Sequence, residues 1–74
     1  MKINPIGPNQ TEVHTASGAV VFFSYKTPVA AQMPDGSFVR TARKWSVTTS
    51  KHINKWLGDV KAAEVPQENL DKMA

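Results

Sequence analysis

Cysteine is absent from the 74 residues, so neither a disulfide framework nor a thiolate cluster can staple the fold. The two histidines, His14 and His52, do not by themselves complete a zinc site. No metal or cofactor is therefore expected, and stability must come from packing. Long apolar runs are missing too: the longest is Ala19–Phe23, far short of the roughly 20 residues that a bilayer-spanning helix needs. No membrane span is expected. The opening MKINPIGPNQ breaks its apolar character with two prolines where a signal peptide needs a continuous stretch, which leaves a cytoplasmic setting as the expectation. There is no P-loop, no G-x-G-x-x-G, no G-x-S-x-G elbow and no close carboxylate pair before the C-terminal tail. An enzyme is not expected, and no catalytic residue is assigned.

What remains suits one small domain, because a chain this short cannot bury two cores. Trp45, Trp56, Phe22, Phe23, Phe38 and Tyr25 supply large side chains for that core. The net charge of +3 is unevenly spread. Residues 1–37 balance Lys2 and Lys26 against Glu12 and Asp35. Residues 38–57 carry Arg40, Arg43, Lys44, Lys51 and Lys55 with no acid, whereas residues 58–74 set Asp59, Glu64, Glu68 and Asp71 against only Lys61 and Lys72. A basic block followed by an acidic tail suits a polyanionic or acidic partner, while its bland alternative is a solvated face.

Pro5, Gly7 and Pro8 make residues 1–9 an expected flexible arm. Residues 10–60 read as the folded domain. Gln10 to Ala16 has the mixed character of an edge strand, Ser17-Gly18 marks a tight turn, and Ala19 to Tyr25 is the strongest strand signal. Alternation places Val21, Phe23 and Tyr25 on one face and Val20, Phe22 and Ser24 on the other. Pro28 is expected to interrupt or bend the sheet before a short strand from Val29 to Gln32. Met33-Pro34-Asp35-Gly36-Ser37 is the clearest hairpin turn. A strand from Phe38 to about Val47, with a bulge at Ala42 to Lys44, is expected next. Thr48, Thr49 and Ser50 are candidate caps of a helix whose stripe is Ile53, Trp56, Leu57 and Val60, ended by Gly58. His52, one turn before Trp56, is expected to pack on its indole. Residues 61–74 are expected to be flexible or weakly helical, with Pro66 at a first helical position. The fold class is thus α+β, a small antiparallel sheet of about four strands packed by one C-terminal helix.

Two stretches carry a family resemblance, Phe23-Ser-Tyr-Lys-Thr-Pro-Val-Ala-Ala31 and Lys44-Trp-Ser-Val-Thr-Thr-Ser-Lys-His-Ile-Asn-Lys-Trp-Leu57. Across about residues 10–57 the chain resembles small proteins of unassigned function encoded by tailed bacteriophages, with their SYxTPVA and KWSxTTSxHINKWL segments. The resemblance implies an infected bacterial host cytoplasm and host takeover as the context, and it transfers no catalytic or ligand residue.

The candidate partner-binding residues are Arg40, Arg43, Lys44, Trp45, Lys51 and Lys55. The leading expectation is a host-protein-binding module that modulates a macromolecular machine, such as a transcription, nuclease or defence protein. Direct nucleic-acid binding is the alternative, with cations on phosphates and Trp45 on a base. A structural, virion-associated role is the third. Both indoles also have an ordinary core role.

Overall fold

The computed structural model describes residues 2–73. Six strands and two helices follow in the order β1 (Lys2–Gly7), β2 (Gln10–His14), β3 (Val20–Ser24), β4 (Thr27–Gln32), β5 (Phe38–Thr41), α1 (Val47–Leu57), β6 (Ala63–Val65) and α2 (Gln67–Met73). The strands form one sheet in chain order, β1 through β6. Pairing is antiparallel from β1 to β5, and β6 then lies parallel to β5 after the crossover through α1. The antiparallel meander allows two-residue and five-residue connections, whereas the parallel step requires a helix-length crossover.

The two faces of the sheet carry separate apolar clusters. Phe22, Val29 and Ala30 pack with Ile53 and Leu57 of α1, flanked by Phe38, Trp45, Trp56 and Ala62. On the opposite face Val21 and Ala31 pack with Leu70 of α2, flanked by Phe23, Val39, Val65 and Met73. The period-2 alternation of β3 therefore divides Phe22 and Val21 between helices on opposite sides. Trp56 stacks on Phe22 at 5.0 Å and meets Phe38 edge-on at 6.0 Å.

Local chemistry sets the boundaries. Ser46 caps α1, its hydroxyl accepting from the Thr49 amide, and Gly58 ends the helix at φ 62 with its N–H on the Asn54 carbonyl. Asp35 Oδ1 accepts from both the amide and the hydroxyl of Ser37, closing the turn between β4 and β5. Asn9 takes φ 59 after Pro8, a turn conformation that asparagine tolerates.

The α+β class stands, with two more strands and one more helix than expected. The lead-in expected to be an irregular arm is β1, paired from Lys2↔His14 to Gly7↔Gln10. Its prolines do not prevent this, because an edge strand has one side without ladder bonds and the register shifts between Pro5 and Gly7. β2 is consequently an interior strand. Pro28 lies within β4, opposite Phe23 and beside a register shift at Phe22/Phe23 that takes up the irregularity. β5 ends at Thr41 instead of running to Val47: Thr41 Oγ1 accepts from the Arg43 amide and turns the chain toward α1. The cap is Ser46 rather than Thr48, Thr49 or Ser50, so the helix begins earlier. Val60 lies past its end and is exposed. Residues 63–73 form β6 and α2, with Leu70 fully buried and Pro66 immediately before the helix.

Candidate binding surface

The basic residues come from three consecutive pieces of chain. Arg40 lies on β5, Arg43 and Lys44 on the connection leaving it, and Lys51 and Lys55 on the outward side of α1. Inward, Thr49, Ile53 and Leu57 fix the helix against the sheet, which forces positions 51 and 55 to solvent. Arg40 Nη1 donates to Asn54 Oδ1 at 3.4 Å, so this guanidinium reaches the flank of α1 that holds Lys51 one turn earlier and Lys55 next along. Arg43, on the connection, holds its guanidinium 5.4 Å from the centre of the Trp45 ring.

None of these five cations has a carboxylate within 4.0 Å among the described residues, where the one acid–base pair is His14 Nε2 with Glu12 Oε1 at 3.5 Å. Glu64 is the backbone neighbour of Arg40 across β5 and β6, yet it forms no ion pair with it. Among the described residues the acidic end of the chain therefore leaves the basic block unneutralised at contact range.

Trp45 is half-buried and already engaged. Its ring packs against the α1-side core, its indole N–H donates to Gln67 Oε1 at 3.3 Å, and Arg43 stands over it. Gln67 in turn donates through Nε2 to the Pro28 carbonyl at 2.7 Å and to Asp71 at 3.1 Å. This amide ties the start of α2 to both β4 and Trp45. Trp56 turns inward, and its indole N–H donates to Glu12 Oε2 at 2.7 Å across the sheet.

His52 is not on Trp56. Its Nδ1 lies 2.9 Å from Ser24 Oγ, whose hydroxyl also meets Thr49 Oγ1 at 3.4 Å, and its ring is tilted 5.9 Å from Tyr25. A serine beside an imidazole is a pairing used in nucleophilic catalysis. Here Ser24 is 2% exposed and His52 has no carboxylate bonded to it among the described residues. The arrangement satisfies a buried hydroxyl and pins α1 to β3. Glu12, Ser24 and Gln67 carry these ties, and no local motif marks them, since their partners lie 44, 28 and 39 residues away.

No curated protein and no solved structure matches this chain. A family model does, over residues 1–72, and so extends through β1 and most of α2 beyond the segment that carries the bacteriophage resemblance. The chain belongs to the Family of unknown function (DUF8033).

Proposed function

We propose that this protein is a small binding module that modulates a macromolecular machine through the surface formed by Arg40, Arg43, Lys44, Lys51 and Lys55, with Trp45 as its rigid floor under Arg43. The setting proposed, on the bacteriophage resemblance, is an infected host cytoplasm, with a transcription, nuclease or defence protein as the target. The observation that carries the reading is the set of five cations without a carboxylate at contact range among the described residues, carried on β5, the following connection and the outer side of α1. Lys51 and Lys55 repel each other on an isolated helix, an arrangement that an anionic partner relieves. Such charge accelerates encounter and selects the partner, while a few buried contacts hold the complex. A protein is favoured over nucleic acid because the Trp45 indole is committed to Gln67 and Arg43 and is not free to stack on a base.

The test is affinity purification from infected cells with nuclease treatment, comparing the native protein with the quadruple variant R43E/K44E/K51E/K55E. These side chains are exposed, so circular dichroism should remain native. Loss of a nuclease-resistant protein partner is expected. A folded variant that recovers the same partners removes the basic surface from the binding site. Recovery abolished by nuclease, with a steep fall of affinity for DNA or RNA as salt rises, identifies nucleic acid as the target instead.

A further inference from the structure

The sheet face that carries α2 is only half covered. One row of residues crosses it in register, Ile3 beside Val13, Val13 beside Val21, Val21 beside Ala31. Val21 and Ala31 are dry beneath Leu70, Val13 is half-buried, and Ile3 is 66% exposed. The same apolar row thus runs from under a helix out into water. Next to it Thr11 pairs with Phe23, and together with Ile3, Val13, Tyr25 and Lys26 these residues line a shallow depression of about 340 Å³. Tyr25 holds φ 59, a left-handed conformation that is costly for a bulky side chain, and it remains half-exposed at the depression's end.

We propose that this open half of the sheet is a second docking site, filled by an amphipathic helix of a partner protein with an acidic flank. Three features select that occupant. Beyond the Val21 position that Leu70 covers, β1, β2 and the Phe23–Tyr25 end of β3 span about 10 Å at the usual strand spacing, which matches the diameter of one α-helix, roughly 10 Å. On the other half of the same face α2 already shows how the sheet accepts a helix, through a leucine seated on Val21 and Ala31. The charge at the depression is Lys26, with no carboxylate among its lining residues, so an acidic flank is matched and a basic one repelled. A second copy of the chain fits less well. Pro5 blunts the β1 edge for strand pairing. The face lies opposite the α1-side core and meets that helix where the Tyr25 ring lies 5.9 Å from His52, away from the outward positions of Lys51 and Lys55.

The test uses a synthetic amphipathic peptide of about 14 residues with leucine at the i, i+3, i+4 and i+7 spacing, made once with glutamate and once with lysine flanking the stripe. Titration into the isotopically labelled full chain is followed by NMR. Shift changes confined to Ile3, Thr11, Val13, Phe23 and Tyr25 are expected, with the glutamate peptide about two- to fivefold tighter than the lysine peptide, as one exposed charge pair allows. Lys26→Glu should reverse that order. Ile3→Asp, at an exposed position on the β1 edge strand, should keep the native melting transition and lose the binding. No shift at millimolar peptide overturns the proposal, as do shifts centred on α1. Concentration-dependent dimerisation that produces the same shifts assigns the face to a second copy and overturns it equally.

Discussion

Replacing Leu70 by alanine tests whether the C-terminal helix is part of the folded unit. Leu70 is fully buried, seated on Val21 and Ala31 and ringed by Phe23, Val39, Val65 and Met73. Removing three carbons forfeits about 2.4 kcal/mol of transfer free energy at about 0.8 per buried carbon, and incomplete collapse of the site adds a cavity cost. Because α2 has only seven residues and one free side, it can settle toward the sheet, and a total near 3 kcal/mol is expected, at the lower end of Leu→Ala measurements. A 74-residue domain has a stability of about 4–11 kcal/mol in all. The variant should therefore melt roughly 12–24 °C lower, and a urea titration followed by circular dichroism should show the midpoint fall with little change in slope. Leu70→Met, which conserves volume, should cost below about 1.5 kcal/mol. A Leu70→Ala loss under about 1 kcal/mol, or α2 amides that exchange as freely as an unfolded peptide, would refute the docking of α2 and with it the two-sided core.

Ser46→Ala should destabilise by about 1 kcal/mol through loss of the cap, whereas Thr48→Ala, which caps nothing, should leave the urea midpoint nearly unchanged. Glu12→Ala deprives the half-buried Trp56 indole N–H of its acceptor and should cost about 1–3 kcal/mol with a change in tryptophan emission, while Glu12→Gln, which keeps a carbonyl oxygen within reach, should cost less. Hydrogen bonds from the Ser37 hydroxyl and amide hold the Asp35 carboxyl below its ordinary value of 3.8. Its contribution to the turn is thus present above that value and lost as the pH falls through the lower folded one. An NMR titration should find Asp35 still ionised below pH 3.8, and Ser37→Ala should move its midpoint upward.

The parts of the fold legible in the sequence were those whose cause is local. Alternation in residues 20–24 divides Phe22 from Val21 as the two clusters require, Asp35 and Gly36 mark their turn, and Ile53, Trp56 and Leu57 mark the buried side of α1. The parts missed depend on partners far along the chain. Lys2–Gly7 has two charged or polar residues, a proline and a glycine in a six-residue strand, and only its pairing with β2 makes it one. Ala63–Val65 is three residues long and is a strand because β5 offers a free edge there. Leu70 alone gives little amphipathic pattern, and its burial rests on the surface that Val21 and Ala31 present. The basic block was visible as composition, but the hydrogen bond from Trp45 to Gln67 was not, because it joins residues from either side of α1.

Strand order along the sheet equals strand order along the chain. During synthesis each new strand up to β5 therefore meets its neighbour as soon as it leaves the ribosome, with no earlier edge held open for a later segment. Local pairing of this kind is fast and exposes little to wrong partners. The last step differs, since β6 must wait for α1 to cross, and Gln67 then reaches back to the Pro28 carbonyl. A nascent chain stalled after α1 has one apolar side of its meander sheltered and the other bare, so emergence of β6 and α2 is the event that covers Val21 and Ala31.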